Sequence, residues 1–168
     1  MIPTIKKRLT QGALTFVSVI FIAGSSIAQD VPAKLSPPAD AVRIGSYAAK
    51  GVQIYVCTAA NAWGFKAPEA QLTDAKGTLF AMHYAGPTWE AADGSKIVGK
   101  MIANDPAPTA GAVPWLLLSA QSSGQGVLAG VRFVQRLKTV GGAGPTGTCA
   151  TPGEEQRAPY TAEYVFFR

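Results

Sequence analysis

Residues that bind metals are scarce in this sequence. Among its 168 residues there are one histidine and two cysteines, and the cysteines, Cys57 and Cys149, do not form a CxxC pair. A zinc site needs three or four nitrogen, sulfur or carboxylate ligands at suitable spacing, and no acidic cluster supplies the oxygen ligands that calcium prefers. The sequence therefore predicts no metal site.

Charged side chains are also few, and no stretch shows a convincing 3.6-residue apolar period. Charged residues make up 15% of the sequence and apolar residues 48%, with 18 glycines and 12 prolines. A disordered chain would be more highly charged and less apolar. The composition favours a compact, turn-rich, mainly β fold.

Residues 1–28 have the features of a secretory signal peptide. Three basic residues at positions 6–8 precede an apolar run at 13–23, and Ser26-Ile27-Ala28 offers small residues for cleavage. The apolar run is shorter than the roughly 20 residues that cross a bilayer. The sequence predicts a secreted or periplasmic protein with no stable membrane span after cleavage.

Cleavage would remove most of the net positive charge. The full sequence has 15 Lys and Arg against 10 Asp and Glu, and residues 1–28 hold three of the basic residues and none of the acidic ones. The mature domain is left with 12 basic and 10 acidic residues, which is no electrostatic basis for binding nucleic acid. We therefore expect no nucleic-acid partner, and the oligomeric state stays open.

Export to an oxidising compartment predicts a disulfide between Cys57 and Cys149. Because these residues are far apart in the sequence, the bond would stabilise the fold by about 4–5 kcal/mol in the chain-entropy model.

Residues 29–50 are interpreted as a Pro-rich leader, and residues 51–168 as one β domain. The β-branched alternation of GVQIYVCT at 51–58 predicts the first core strand. Short strands separated by turn signals follow, and the last is an aromatic strand at 160–168. Roughly eight short strands with long loops and one disulfide predict an all-β, single-domain sandwich or barrel.

Two later segments allow more than one interpretation. The apolar run WLLL at 115–118 is typical of a strand buried on both faces or of a short buried helix. Residues 127–140 fit a strand better than a helix because glycines flank them. Read as a strand, this segment points Val131, Phe133 and Leu137 inward and Arg132, Arg136 and Lys138 outward as a basic row, which is either solvated or meets an anionic glycan or headgroup.

Residues 79–99 are the candidate site because they combine the single histidine with a tryptophan, two carboxylates and glycine-containing turns. His83 lies on the strand face opposite to Phe80, Met82 and Tyr84. A histidine near a carboxylate suits general base catalysis, and a tryptophan provides a stacking wall. The candidate catalytic residues are His83, Glu90 and Asp93; the candidate ligand-binding residues are His83, Tyr84, Trp89, Glu90 and Asp93.

Three classes of function fit these residues. The preferred hypothesis is a non-enzymatic domain that binds a small molecule, glycan or cell-envelope component around His83 and Trp89. The second is a cofactor-free hydrolase or isomerase that uses His83 with Glu90 or Asp93. The third is a protein inhibitor or a structural module of the cell envelope.

From Gly51 onward, five motifs give the chain a family resemblance. They are GVQIYVC at 51–57, HYAGPTWEAADGSKIVGK at 83–100, VPWLLLSA at 113–120, GVRFVQRLKTVGGAGP at 130–145 and PYTAEYVFF at 159–167. The sequence resembles a family of small exported proteins of bacteria and fungi that is known only as a domain of unknown function. The resemblance implies no activity. Some fungal members carry a malate-dehydrogenase-like label, but the glycines at 141–144 lack the βαβ context of a dinucleotide site, so we expect no cofactor.

Overall fold

The computed structural model describes residues 30–168; the predicted signal peptide lies outside the described residues. In the described part of the chain, eight antiparallel strands form one closed barrel in which neighbours in sequence are neighbours in space. The all-β prediction is confirmed, and the architecture is a barrel rather than a sandwich. The strands are β1 (Arg43–Cys57), β2 (Trp63–Thr73), β3 (Leu79–Tyr84), β4 (Thr88–Ala91), β5 (Lys96–Asp105), β6 (Trp115–Ser123), β7 (Phe133–Gly141) and β8 (Glu155–Phe167).

Strand β1 closes the barrel, because it pairs with β2 on one side and with β8 on the other. It begins at Arg43, so the barrel includes residues 43–50, which the sequence assigns to the leader. This part of the strand, RIGSYAAK, contains several small residues that have low strand propensity. Their pairing with β8 makes them a strand, and no local pattern reveals that pairing.

The up-and-down order gives the barrel two different ends. The loops that follow β1, β3, β5 and β7 lie at one end, here called the open end. The loops after β2, β4 and β6 lie at the other, the closed end. At the closed end, residues 124–132 form a plug that turns into the barrel, and its Leu128 and Val131 are buried in the core.

The plug is fastened to the loop between β4 and β5. The Asp93 carboxylate accepts a hydrogen bond from the Val127 amide at 2.8 Å, and Ser95 Oγ accepts one from the Leu128 amide at 3.1 Å. Ser95 Oγ in turn donates to Asp93 at 2.6 Å. These bonds hold the closed end shut.

The disulfide between Cys57 and Cys149 is present, and the prediction is confirmed. It joins residues 92 positions apart. At the open end, it ties the last residue of β1 to the loop between β7 and β8.

Residues 30–42 form a strap across the outside of the barrel, with one 3-10 turn at Ala33–Leu35. The Leu35 side chain of the strap is fully buried against the barrel, and Gln135 Nε2 donates a hydrogen bond of 2.7 Å to the Leu35 carbonyl oxygen. Apolar side chains of the outer barrel face pack against Leu35: Trp115, Leu117, Leu137, Val165 and Phe167. The strap therefore buries the outer face of β6 and β7, which explains the continuous apolar run at 115–118.

The strand interpretation of residues 127–140 is confirmed only from Phe133 onward, because the preceding residues belong to the plug. The predicted facing is wrong for Phe133, Leu137 and Arg136, and right for Val131, which is buried in the core. Phe133 and Leu137 pack outward beneath the strap, whereas Val134 and Arg136 lie inside the barrel. Because both faces of β7 are covered, the apolar side chains of the outer face mimic those of an interior face.

Candidate ligand-binding site

A cavity of about 580 Å³ occupies the barrel at its open end. This volume lies within the range of small-molecule sites, and an eight-stranded barrel is wide enough to hold one small ligand. Every strand contributes to its wall. The apolar lining includes Phe65, Trp89, Met101, Val113, Leu116 and Leu118; the polar lining includes Gln53, Tyr55, His83, Asn104, Arg136 and Tyr164.

His83 and Trp89 form one wall of the cavity. They are paired directly across β3 and β4, and their rings are stacked with centroids 4.2 Å apart and planes 8° apart. The Tyr164 ring meets both edge-on, at 5.3 Å from His83 and 5.6 Å from Trp89. Gly99 leaves room for the indole, because a Cβ there would lie 2.9 Å from Trp89 Cζ3.

Burial keeps His83 neutral. Its ring is only 3% exposed, and burial, aided by the charge of Arg136, lowers its pKa to about 4 despite the opposing hydrogen bond to Thr88. Nδ1 lies 2.8 Å from the carbonyl oxygen of Thr88. Because a carbonyl only accepts, Nδ1 carries the proton and Nε2 is left with a lone pair.

Arg136 places a positive charge inside the barrel. It is 9% exposed, and its Nε and Nη2 donate to the carbonyl oxygen of Pro114 at 3.1 and 2.9 Å. Its register partners on the adjacent strands are Leu116 of β6 and Tyr164 of β8. Burial raises the pKa of the Tyr164 hydroxyl, although the nearby guanidinium opposes that rise.

Two buried donors in the cavity wall have no acceptor. They are Gln53 Nε2, which lies near the Tyr160 hydroxyl without completing a hydrogen bond to it, and Trp89 Nε1. A third such atom in the described part of the chain, Trp115 Nε1, lies under the strap. Most buried polar groups in native proteins are hydrogen-bonded, so these two unpaired donors in the cavity wall are exceptions.

The structure separates Tyr84 and Glu90 from the cavity. Neighbouring residues of a strand point to opposite faces, so both side chains lie on the outer surface when His83 and Trp89 point inward. There Tyr84 donates to Glu90, and Lys96 Nζ lies 3.1 Å from the same carboxylate. The hydrogen bond from Tyr84 and the contact with Lys96 lower the pKa of Glu90.

Asp93 is also separated from His83, because it lies in the loop at the closed end. Its hydrogen bonds from Ser95 and from the Val127 amide lower its pKa. The structure thus brings the rings of His83 and Trp89 together but places neither the Glu90 nor the Asp93 carboxylate beside His83. Glu90 points away from the cavity because neighbouring residues of a strand point to opposite faces, and Asp93 lies in a loop at the closed end.

Of the residues that line the cavity, the sequence named only His83 and Trp89 as site residues. The polar ones that it missed include Gln53, Arg136 and Tyr164. Gln53 interrupts the β-branched run GVQIYVC, and this polar position in a core strand is a usable signal. Tyr164 lies in the aromatic strand predicted at 160–168, on the face of β8 that lines the interior together with Tyr160. Arg136 carries no such signal, because it was assigned to the opposite face.

Within residues 30–168, no group of three or more His, Cys, Asp or Glu side chains is placed to hold a metal ion. Among the same residues, no helix is long and apolar enough to cross a membrane.

Residues 38–168 match the family described as Protein of unknown function (DUF3455). The chain belongs to this family. The match covers all eight strands and every residue that lines the cavity. No curated protein and no solved structure matches the chain.

Proposed function

We propose that this domain binds one small organic molecule, non-covalently, inside the barrel. The observation that carries the proposal is the cavity of about 580 Å³, which opens at one end and is lined by apolar side chains and a few buried polar ones. This combination is typical of small-molecule sites.

The apolar lining provides the driving force. Phe65 and Met101 line the cavity while remaining 57% and 54% exposed, so they extend the apolar wall outward to solvent. Val113 and Leu118 continue that wall inward, where they are buried. Covering apolar surface contributes about 25 cal/mol per Å², and a ligand with an apolar body would cover both the exposed and the buried parts.

Two features support a preformed site. The plug closes one end of the barrel through the hydrogen bonds of Asp93 and Ser95, and the Cys57–Cys149 disulfide ties together the open end. A cavity that exists before binding lowers the cost of ordering. The disulfide also supports the proposal that the protein is secreted or periplasmic, because such bonds persist in oxidising compartments.

The surroundings of His83 favour binding over catalysis. A general base works best when its pKa lies near the working pH, whereas burial lowers the pKa of His83 to about 4. None of the residues that line the cavity is Asp or Glu, so no carboxylate there orients the ring. The proton on Nδ1 is held by the Thr88 carbonyl instead.

A fluorescence titration with phenylnaphthylamine, an uncharged apolar dye, tests the proposal. The dye is expected to brighten and shift to the blue when it enters the cavity of the wild-type protein. The variant Leu116→Trp fills the cavity, because Leu116 lines it, and is expected to lose dye binding by about tenfold or more. The control Val98→Trp places the same ring on an exposed position, 46% accessible, outside the cavity.

Binding that is lost in Leu116→Trp and kept in Val98→Trp supports the cavity as the site. Equal binding by both variants and the wild type places the dye on the surface and contradicts the proposal. Absence of binding to the wild-type protein contradicts it as well. Circular dichroism of each variant checks that the barrel has formed.

A further inference from the structure

We infer that the ligand is a monocarboxylic acid whose carboxylate binds Arg136 and whose apolar body extends towards the open end. This inference rests on the proposed function and adds the chemical class of the ligand. It is carried by the buried guanidinium and by the absence of an acidic partner for it.

Arg136 is buried without a counter-ion. Among the described residues, the six ion pairs involve other cations, and none of the cavity-lining residues is acidic. Residues 1–29 contain no Asp or Glu, so they cannot supply a carboxylate either. A buried charge is costly unless it is paired, and a ligand anion would supply the missing partner.

The guanidinium is held ready for such a ligand. Pro114 accepts hydrogen bonds from Nε and Nη2 of Arg136, which fixes the plane of the group and leaves further N–H donors from the five that arginine carries. Hydrogen bonds between a guanidinium and a carboxylate are short and strong, and they often form in parallel pairs. Arg136 therefore offers a pre-oriented carboxylate site.

The rest of the cavity sets the direction of the ligand. Leu116 is the register partner of Arg136 on the adjacent strand β6. Leu118 and Val113 add apolar surface to the same cavity. The other cation of the cavity lining, Lys66, is exposed and paired with Glu155. The carboxylate thus belongs at Arg136, inside the barrel, and the apolar body lies along the wall between Arg136 and solvent.

The charge balance favours a single negative charge. His83 is neutral because its Nδ1 proton is held by Thr88 and its ring is buried, so Arg136 is the one buried cation of the lining. A second buried anionic group would have no partner there, and burying it would be unfavourable. A monocarboxylate matches the site, whereas a dicarboxylate does not.

A matched pair of competitors tests this inference. Naphthaleneacetate and naphthaleneacetamide share the same ring system and differ chiefly in charge, and each is used to displace phenylnaphthylamine from the wild-type protein at neutral pH. The acid is expected to bind about tenfold or more tightly than the amide, the difference that hydrogen bonds to a charged group provide. Naphthalenedicarboxylate, tested in the same displacement experiment, is expected to bind more weakly than naphthaleneacetate.

Two variants assign the preference to a residue. Arg136→Met removes the charge and is expected to bring the acid and the amide to similar affinities. The matched control, Lys66→Met, removes the exposed cation and is expected to keep the preference. Because Arg136→Met also loses the bonds to Pro114, Arg136→Lys provides a second test: it keeps the charge and is expected to retain a preference for the acid.

Equal binding of acid and amide to the wild-type protein overturns the inference, and dye binding that depends on the cavity would then leave the proposed function intact. A preference that survives in Arg136→Met but disappears in Lys66→Met also overturns it. If the dye does not bind at all, the proposed function fails, and the inference that rests on it fails with it. If Arg136→Met does not fold, the wild-type comparison and Lys66→Met decide it.

Discussion

His83 and Trp89 face each other across β3 and β4, with their rings stacked 4.2 Å apart inside the barrel. The two residues are six positions apart in the sequence and share one short hairpin. The stack buries the histidine, and burial in turn lowers the pKa of its ring to about 4. The pair therefore acts as an uncharged aromatic wall of the cavity at neutral pH.

His83 should make the stability of the protein depend on pH. Its pKa is about 4 in the folded state and about 6.5 in an unfolded chain. The unfolded state therefore binds the proton first, and the free energy of unfolding falls as the pH is lowered from about 6.5 to 4. Between pH 7.5 and 5 the expected loss is about 2 kcal/mol, measured by urea denaturation at both pH values.

The variant His83→Phe keeps an aromatic ring against Trp89 and removes the titrating group. It leaves the Thr88 carbonyl without its donor, which costs about 1–3 kcal/mol at pH 7.5. The gap in stability between wild type and variant should narrow at pH 5, since the variant cannot bind the proton. A gap of the same size at both pH values would contradict the low pKa.

Gly99 should be required for the position of Trp89. A Cβ at this position would lie 2.9 Å from Trp89 Cζ3 and 3.1 Å from Leu118 Cδ2, and the indole is fully buried. Gly99→Ala is expected to lower the free energy of unfolding by about 1–3 kcal/mol and to change the near-UV circular dichroism. The neighbouring exposed change Lys100→Ala should leave both unchanged; an equal effect of the two would refute this role for Gly99.

Ser95 should stabilise the plug. It is fully buried, donates to Asp93 and accepts from the Leu128 amide. Ser95→Ala leaves that amide unpaired, so we expect a loss of about 1–3 kcal/mol and faster hydrogen exchange at Leu128. Ser119→Ala, on the outer part of β6, serves as the control, and unchanged exchange at Leu128 in Ser95→Ala would argue against the plug contact.

The Cys57–Cys149 disulfide should provide a large part of the stability. It closes a loop of 92 residues, for which the chain-entropy model gives about 4–5 kcal/mol. Urea denaturation of wild type and of the double variant Cys57→Ser, Cys149→Ser should show a loss of this order. Treating the wild-type protein with dithiothreitol should have the same effect, and midpoints that coincide with and without reduction would disprove the contribution.

Glu90 should have no part in ligand binding. Its carboxylate lies on the outer surface, where Tyr84 and Lys96 contact it. Glu90→Gln is therefore expected to bind phenylnaphthylamine as the wild type does, within about twofold. A tenfold loss of affinity in this variant, with the fold intact, would return Glu90 to the site.

The sequence was sufficient for the fold class because strand propensity, turn residues and the lack of a helical period are local properties. It was also sufficient for the disulfide, because only two cysteines were available to pair. It placed His83 and Trp89 in one candidate site, because they belong to a single hairpin. Glu90 was predicted to belong to that site because it is next to Trp89 in the sequence. In the strand its side chain points to the outer face, because neighbouring residues alternate.

The sequence by itself thus determined an all-β domain with one disulfide and a candidate site that contains His83 and Trp89. Only the tertiary structure decided that this face is the interior, that Arg136 shares it, and that the cavity opens at one end. The reason is that closure of the barrel and the position of the strap depend on contacts between distant segments. Because the strap covers the outer face of β7, apolar residues lie on both sides of that strand, and no local period could show that Arg136 points inward.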